Sequence, residues 1–459
     1  MRSLDDTIAA IATPPGEGGI SIVRLSGPRA STAARGLLRL GSGETPELSP
    51  RVAVFCRAVC PGTAEVIDEV LAIFMAGPAS YTREDVVEIQ CHGGRAAAGA
   101  ILDLLLSSGA RLADPGEFTL RAYLRGRIDL VQAEAVADVI HAETADSLKV
   151  HETLLEGALS REVAGWQEAL GTVLVHLESF LDFPEEELDL KGGAELVAAL
   201  DEVAASMAGK LETFAWGRTA REGFRVAILG LPNVGKSSLL NRLAEEERAI
   251  VSPIAGTTRD TIEVRVNALG APVHVIDTAG LRSPADTVEE EGVFRARRAA
   301  EEAGLVLMVY DGSRPLGEEE RKEALALIPG DKVLAVVNKA DLGRVPEEEL
   351  SELFGEPPLF VSARTGEGVE ELLRRVRDRA WAGRVPAGGG ALTRLRHRES
   401  VRSALEAVGK ARELLAGGGY PDAAASELQR ARRCLAELLG WGTPEEVVDR
   451  IFSEFCIGK

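Results

Sequence analysis

A glycine-rich loop between a strand and a helix constrains this chain more than any other feature. A strand-like run over 225–229, apolar from Val226 onward, leads into Gly-Leu-Pro-Asn-Val-Gly-Lys-Ser over 230–237, and a leucine-rich segment follows. This matches GxxxxGK[ST] in the strand-to-helix context that the motif requires. Glycine lets backbone N–H groups approach phosphate oxygens, and the helix N-terminus adds a partial positive charge. The sequence therefore predicts a phosphate-binding loop in an α/β domain.

The last residues of this loop have different expected roles. Lys236 should reach the β- and γ-phosphates of a nucleotide, and Ser237 should ligate Mg²⁺. The other nucleotide contacts predicted for the loop are Asn233, Val234, Gly235 and Ser238. The alternative, an ordinary glycine turn, is disfavoured because further nucleotide motifs follow in order.

Two later strands end in polar motifs that extend the site. The strand over 273–276 ends in Asp277-Thr-Ala-Gly280, where Asp277 would hold Mg²⁺ through water and the Gly280 N–H would face the γ-phosphate. The strand over 333–337 ends in Asn338-Lys-Ala-Asp341. A carboxylate at Asp341 can accept from both N1–H and the exocyclic amine of guanine. Adenine would leave this carboxylate unpaired, and such a loss lets a site reject the wrong base by a factor of about 10⁴. The motif favours GTP over ATP and disfavours an ATP-dependent kinase.

The base and the switch loop add further predicted contacts. The guanine contacts are predicted at Asn338, Lys339, Asp341, Ser362, Ala363 and Arg364, the last three in a loop of SAK type. In Gly256-Thr-Thr-Arg-Asp260, Thr258 is the expected second Mg²⁺ ligand by similarity to translation-factor-like GTPases, and its loop a switch. Each motif follows a strand, at the edge where doubly wound sheets bind ligands. Leu281 stands where Ras-like GTPases carry a water-orienting glutamine, so the catalytic group must come from elsewhere.

Composition indicates the kind of protein and the compartment in which this domain occurs. The chain carries 72 acidic and 52 basic residues, a formal charge of −20, which does not suit wrapping nucleic acid without a basic partner. Its five cysteines form no CxxC pair, so reduced thiols and a cytoplasmic protein are expected. The N-terminus has no signal-like apolar core, and no apolar stretch approaches the roughly 20 residues of a membrane span.

The order of patterns predicts the fold class. Mixed strands and helices come first, two helical stretches flank the α/β segment, and Pro386-Ala-Gly-Gly-Gly390 marks a linker. We predict an α/β P-loop GTPase domain inserted into an α-helical domain, preceded by an α+β N-terminal domain. The predicted boundaries are 1–119, 120–222, 223–383 and 384–459, the second and fourth being the two parts of the helical domain.

Several segments resemble one family over essentially the whole chain. They are Asp6 to Ile20, Gln90-Cys-His-Gly-Gly94, Pro115-Gly-Glu-Phe118, Asp129-Leu-Val-Gln-Ala-Glu134, the loop with Asn233, Ala255-Gly-Thr-Thr-Arg-Asp260 and the final Cys456-Ile-Gly-Lys459. Together they are similar to the MnmE (TrmE) family, GTPases that modify the wobble uridine of tRNA.

For the nucleotide domain, the resemblance implies a potassium ion where other GTPases use an arginine finger. Its ligands would be the Asn233 side chain, backbone oxygens near Ser252 and Ile254, and Thr257. A loop-stabilising amide is the alternative for Asn233. The resemblance also makes Glu289 the residue that orients the attacking water, although Glu290 and Glu291 leave a solvated acidic run open. Lys236 and Gly280 would complete the catalytic set.

For the N-terminal domain, the resemblance implies an α+β folate-binding-like fold, dimerisation and binding of 5-formyl- or 5,10-methylene-tetrahydrofolate. The folate positions are Arg24, Glu88, Arg127 and Lys459, with arginine at 127 where relatives often carry lysine. Ordinary surface or paired charges are the alternative. Cys456 is a possible substrate contact, with a positioning role favoured over a nucleophilic one. His92 is expected to be structural rather than a proton donor.

The implied activity is GTP hydrolysis that drives C5 modification of a tRNA wobble uridine, of aminomethyl or carboxymethylaminomethyl type. The implied partner is an MnmG-type subunit that carries FAD and uses NADH, and that shares the tRNA. A GTP-dependent RNA or ribosome-assembly switch without one-carbon chemistry is the alternative, and folate binding separates the two.

Overall fold

The computed structural model describes residues 5–182, 192–246, 262–277, 298–318, 332–343, 350–352, 356–383, 390–417 and 420–459. The chain forms two compact units. The first comprises Met1–Ala137 with Leu435–Lys459, and the second comprises Asp138–Cys434. In the described segments, no helix is both long and apolar enough to cross a membrane. The four-part division with its boundaries remains a prediction.

The first unit contains a seven-stranded sheet. Its strands are β1 (Ile8–Ile11), β2 (Ile20–Ser26), β3 (Leu38–Arg39), β4 (Ala53–Val59), β5 (Val66–Met75), β6 (Val86–His92) and β7 (Arg111–Leu112). They lie in the order β3-β4-β5-β6-β2-β1-β7, antiparallel except for the β1–β7 pair. The helices within this unit are Ala30–Leu37, Arg95–Ser107, Glu117–Leu124 and Glu445–Ser453.

The two faces of this sheet differ in what covers them. Side chains alternate along a strand, so Val23 and Ile89 point to one face and Arg24 and Glu88 to the other. The first face is buried with the helices Ala30–Leu37 and Arg95–Ser107 in one apolar core. The second face therefore carries charged residues that neither of these two helices covers.

The second unit contains a six-stranded sheet. Its strands are β8 (Phe224–Leu229), β9 (Ile262–Ala268), β10 (Ala271–Asp277), β11 (Leu305–Asp311), β12 (Val333–Asn338) and β13 (Leu359–Phe360). The order is β13-β12-β11-β8-β10-β9, and every pair is parallel except β9–β10. β11 and β12 are almost continuously apolar because apolar clusters cover both faces, as parallel sheets require.

Helices precede and follow this sheet along the chain. Those within the second unit are Ala145–Leu155, Ala158–Asp182, Gly192–Leu211, Phe214–Glu222, Lys236–Glu246, Val369–Ala380 and Leu395–Ala416. Leu130–His141 and Pro421–Leu439 cross the limits between the units. Gly192–Leu211 packs directly on Leu395–Ala416, although the whole α/β segment separates them in sequence. The predicted fold class, an α/β nucleotide-binding domain inserted into a helical domain and preceded by an α+β domain, is therefore confirmed.

Candidate nucleotide-binding site and a second charged site

The glycine-rich loop connects β8 to the helix Lys236–Glu246 and has no room for side chains at two positions. Gly230 has φ +138°, and a Cβ there would lie 2.2 Å from the Val309 carbonyl oxygen. Gly235 has φ +95°, and a Cβ there would lie 2.3 Å from Asn338 Nδ2. These two glycines let the loop curl tightly between β11 and β12, with its backbone open to a ligand. The loop thus fits a phosphate group at the N-terminus of its helix.

Lys236 lies inside this loop. Its Nζ donates to the carbonyl oxygens of Gly230 at 2.7 Å and of Leu231 at 2.8 Å, so the ammonium group is held where phosphate oxygens are expected. Val234 is buried beneath the loop, whereas Ser237 and Ser238 lie exposed in the first helical turn. The predicted phosphate contacts of the loop are therefore brought together.

Asn338 joins the phosphate loop to the predicted base loop. Its Nδ2 donates to Val234 O at 3.0 Å, and its Oδ1 accepts from Ala363 N at 3.0 Å. The side chain is buried, so both hydrogen bonds are shielded from water. Asn338 thus acts mainly as a brace between two loops that are distant in sequence.

Asp341 is held as an ionised acceptor. Ser362 Oγ donates to its Oδ1 at 2.5 Å, while Arg364 donates to its Oδ2 through Nη2 at 2.6 Å and Nε at 3.1 Å. The hydrogen bond from Ser362, followed by that from Arg364, lowers the pKa of Asp341 below its usual value. Because Arg364 is largely exposed, its ion pair is easily exchanged for a base edge.

Lys339 supports the loop from the next strand end. Its Nζ contacts Asn233 O at 2.8 Å and Asp311 Oδ2 at 2.6 Å. Burial alone would raise the pKa of Asp311, but hydrogen bonds from Lys339 and Ser313 outweigh it and lower that pKa. Asp311 was missed by the sequence analysis, although it ends a buried strand in the same way as the predicted motifs.

Arg242 is a second residue that the sequence analysis missed. From the helix that follows the phosphate loop, its Nε donates to Ala363 O at 2.9 Å and its Nη2 to Arg364 O at 2.8 Å. It therefore positions the base loop from the phosphate side. An arginine one turn into an amphipathic helix gives no sequence signal for such a role.

The remaining predicted nucleotide-site residues are only partly described. Asp277 ends β10 beside Ile228 of β8, at the same sheet edge as the phosphate loop. Its side chain lies outside the described residues, and so do Ser252, Ile254, Thr257, Thr258, Gly280 and Glu289. Their predicted roles remain predictions.

A second charged site lies on the face of the seven-stranded sheet that the two helices leave uncovered. Arg24 on β2 and Glu88 on β6 are direct neighbours across the strands, and their Nε–Oε1 distance is 2.9 Å. Arg24 also donates to Gly458 O at 3.0 Å and lies 5.7 Å from the Phe118 ring centroid. Two of the segments that carried the family resemblance, Pro115-Gly-Glu-Phe118 and Cys456-Ile-Gly-Lys459, thus meet here.

The chain's last residues complete this site. Phe118 N donates to Lys459 O, which anchors the terminus on the helix Glu117–Leu124. Burial, and next the nearby Arg24, lower the pKa of the Lys459 ammonium group, against opposing effects of Glu88 and Cys456. The Cys456 side chain is exposed. A carboxylate, two cations and a thiol therefore converge in a half-buried space.

Arg127 lies one aromatic ring away from this cluster. Its guanidinium is 4.7 Å from the Tyr81 ring centroid, and its Nη1 donates to Tyr81 O at 2.8 Å. Burial chiefly raises the pKa of the Tyr81 hydroxyl, which donates to or accepts from Thr119, while Arg127 and Arg24 both act to lower it. Tyr81 therefore sits between the two arginines, a role that no sequence motif indicated.

His92 is at the exposed end of β6, on the same sheet face as Glu88. Its Nδ1 contacts Asp68 Oδ1 at 2.6 Å, and its backbone N–H donates to Asp68 Oδ2 at 2.7 Å. The hydrogen bond with Asp68 raises the pKa of His92. This ion pair links β6 to β5, which supports a structural role for His92.

The curled phosphate loop, its lysine and the braced Asp341 define the α/β part of the second unit as a P-loop GTPase domain. Residues 7–127 match the family model for the GTP-binding protein TrmE N-terminus, and residues 130–456 match the model for the MnmE helical domain. The chain therefore belongs to the MnmE (TrmE) family of tRNA modification GTPases.

Full-length relatives agree with this assignment. The chain is 44% identical to the tRNA modification GTPase MnmE of Syntrophotalea carbinolica, over 99% of both chains. It is 42% identical to that of Heliobacterium modesticaldum, again over 99% of both chains. Among solved structures, the G domain of the T. maritima FeoB iron transporter is 27% identical and covers 34% of this chain and 98% of its own, with a TM-score of 0.28. Because this overlap is only partial, it adds nothing to the family assignment.

Proposed function

We propose that this chain hydrolyses GTP to drive modification of tRNA at C5 of the wobble uridine, using a one-carbon unit from tetrahydrofolate. The observation that carries the proposal is the joint geometry of Asn338 and Asp341. One residue ties the base loop to the phosphate loop, and the other presents an ionised carboxylate that is suited to guanine. The full-length relatives are tRNA modification GTPases, which supports tRNA modification as the purpose of the hydrolysis.

Nucleoside analysis of tRNA tests this function directly. In cells that lack the protein, wobble uridines should lose their aminomethyl-type substituent, and the wild-type chain should restore it. A chain with Lys236→Ala should not restore it, because the ammonium group that faces the phosphates is gone. Normal wobble uridines in the deletion strain would reject the function and favour a switch without one-carbon chemistry.

The second charged site is proposed to bind the folate. A pterin edge offers adjacent N–H donors that fit a carboxylate such as Glu88, and Arg24 and Lys459 supply donors beside it. Phe118 supplies an apolar wall for the ring. When bound, 5-formyl- or 5,10-methylene-tetrahydrofolate supplies the one-carbon unit. Residues of this chain would bind and orient it, with Cys456 positioned at the edge of the site.

Changing Glu88→Gln should weaken folate binding by about ten-fold to a hundred-fold, because a charge-assisted pair of hydrogen bonds is lost. Equilibrium dialysis with labelled 5-formyl-tetrahydrofolate measures the effect. The matched control is Glu69→Gln on the neighbouring strand, where the carboxylate is half-exposed and paired with Arg57. Failure of the wild-type protein to bind the folate would remove this assignment altogether.

A potassium site beside the phosphate loop is proposed from Asn233. Asn233 has φ +66° and an exposed side chain, and its backbone oxygen accepts from Lys339. In the described part of the chain, its side-chain amide makes no hydrogen bond that would explain it as a loop brace. A bound potassium ion would offset the negative charge that develops between the phosphates.

GTP hydrolysis should therefore be at least about ten-fold faster in KCl than in NaCl, since arginine fingers contribute roughly 10³–10⁵ and the ion supplies part of that. Phosphate release at equal ionic strength measures the ratio. Asn233→Ala should lower the rate in KCl to the rate in NaCl. Equal rates of the wild-type protein in the two salts would contradict the potassium site.

A homodimer through the first unit is proposed from the uncovered sheet face. Phe55 and Leu71 are opposite each other on β4 and β5, Ile20 lies on the same face, and their exposed fractions are 62%, 38% and 59%. Exposed apolar side chains concentrated on one face are typical of a subunit interface. Light scattering should give twice the mass of one chain, and Phe55→Glu should shift it towards the monomer. A wild-type monomer would contradict the interface.

An MnmG-type subunit that carries FAD and uses NADH is the proposed flavin partner. The formal charge of −20 supports a division of labour, because a chain this acidic is poorly suited to hold tRNA without a basic partner. Co-purification with such a subunit and with tRNA tests this partnership.

A further inference from the structure

A wide concavity in the first unit lies beside the proposed folate site. Its volume is about 720 Å³. Its lining includes both apolar and basic side chains. Those that bear on a ligand are Arg51, Ile73, Met75, Tyr81, Arg83 and Arg127. Among the described residues, no acidic side chain lines it, although the chain as a whole carries a formal charge of −20.

Three arginines supply the charge of this concavity. Arg51 donates to Ala79 O at 3.2 Å, Arg83 to Arg125 O at 3.0 Å and Arg127 to Tyr81 O at 2.8 Å. Each partner is a backbone carbonyl. Among the residues that the structure describes, no carboxylate pairs with these three guanidiniums. They therefore keep donors and net positive charge for an anionic ligand.

The arginines are held in place by their backbones. Arg51 N donates to Phe74 O at 2.7 Å, which fixes Arg51 to β5. The buried Glu84 carboxylate, next to Arg83, accepts from Ser26 Oγ at 2.7 Å and from Arg125 Nη2 at 2.6 Å. Binding an anion here requires little reordering of the main chain, which favours affinity.

Tyr81 makes the concavity continuous with the folate site. Arg127, which also lines the concavity, lies over its ring, and Arg24 of the folate cluster acts to lower the pKa of its hydroxyl. A folate whose pterin lies at Glu88 and Arg24 would thus extend its aminobenzoate past Tyr81. Its glutamate would then arrive at Arg127, at the entrance of the basic concavity.

We propose that this concavity binds the γ-linked polyglutamate tail of the folate, so that the substrate of the site is a folylpolyglutamate rather than the monoglutamate. The inference rests on the proposed folate binding. Each added glutamate carries one free carboxylate, and Arg51 and Arg83, which line the same concavity as Arg127, can receive them. Contacts between a carboxylate and a guanidinium are charge-assisted and can be bidentate. Ile73 and Met75 form the apolar wall along which the methylene groups of the tail pack.

A tRNA phosphate backbone is the competing anion. The concavity's continuity with the folate cluster through a single aromatic ring favours the tail. Its concave shape and apolar wall also suit a narrow chain with methylene groups more than a broad, fully hydrated phosphate backbone.

Titration with 5-formyl-tetrahydrofolate that carries one or five glutamates tests the proposal. The pentaglutamate should bind the wild-type protein about ten-fold more tightly than the monoglutamate, because it gains a few partly exposed ion pairs. This advantage should shrink as KCl is raised from about 0.05 to 0.5 M, because salt screens exposed charges. In Arg51→Gln/Arg83→Gln, the ratio of the two affinities should fall to about one. Arg35→Gln, an exposed arginine on the helix Ala30–Leu37, is the control and should keep the wild-type ratio.

The outcomes distinguish a failure of the proposed folate binding from a failure of the proposed tail site. If neither folate binds the wild-type protein, the proposed folate function fails. If both bind with equal affinity, folate binding stands and the tail site is wrong. If the double variant keeps the ratio but weakens tRNA binding, these arginines contact RNA and the tail proposal is overturned. Detectable monoglutamate binding by the double variant shows that the variant is folded.

Discussion

Replacing Asp341 with asparagine is expected to weaken GTP binding by about 10³-fold or more, the scale on which a site rejects a base that leaves its buried polar groups unpaired. Hydrogen bonds from Ser362 and Arg364 lower the pKa of the Asp341 carboxyl, and the carboxylate would accept from both donors on the guanine edge. An amide offers one acceptor and one donor, so one of the two guanine donors would face an N–H group. Xanthine has a carbonyl in place of that amine, so xanthosine triphosphate should bind the variant better than GTP does.

Competition for a fluorescent guanine nucleotide measures both effects. Asp378→Asn is the matched control, since that carboxylate is exposed on the helix Val369–Ala380 and contacts only its neighbour Arg377 among the described residues. It should leave the affinity for GTP unchanged. An Asp341→Asn variant that binds GTP as the wild-type protein does would show that the base is recognised elsewhere.

Changing Glu289 to alanine is expected to lower the rate of GTP turnover by roughly 10²–10⁴-fold, the usual contribution of a positioned group that moves a proton or orients water. Nucleotide affinity should stay within about three-fold, because this carboxylate would act on water rather than on the nucleotide. The reason for expecting such a residue is Leu281, which cannot orient water where other GTPases carry glutamine.

The neighbouring acids provide the control for this variant. Glu290→Ala and Glu291→Ala should each keep most of the turnover, as members of a solvated acidic run would. Single-turnover phosphate release separates the chemical step from binding. If Glu289→Ala hydrolyses GTP at the wild-type rate, or if Glu290→Ala loses as much, Glu289 is not the catalytic residue.

The sequence could predict the strand-loop-helix unit around the phosphate loop because the parts of that unit are local in the chain. Gly230 and Gly235 have the conformations and close approaches that the motif implies, and Asp341 follows β12 as expected. What it could not predict were contacts between segments distant in the chain. The contacts of Arg242 with the base loop and of Lys339 with Asp311 depend on how loops at the same sheet edge pack, and no short spacing encodes them.

The limit on predicting contacts between distant segments is more pronounced in the first unit. Arg24 and Glu88 are adjacent only because β2 and β6 pair in one particular register, and the chain terminus then packs beside them. The resemblance identified these positions without giving a physical reason for them. Neither the motifs nor the family resemblance indicated Tyr81, Arg51 and Arg83. A concavity assembled from three separate segments of the chain has no sequence motif.

Displacement of a fluorescent guanine nucleotide from the purified wild-type chain by unlabelled GTP or ATP is the most direct test of the central claim. Amides of the loop from Gly230 to Ser237 should hold either nucleotide's phosphates, while Asp341 should admit only guanine. GTP should therefore displace the probe at a concentration at least about 10³-fold lower than ATP does. Equal displacement by the two nucleotides, or a preference for ATP, would contradict the account.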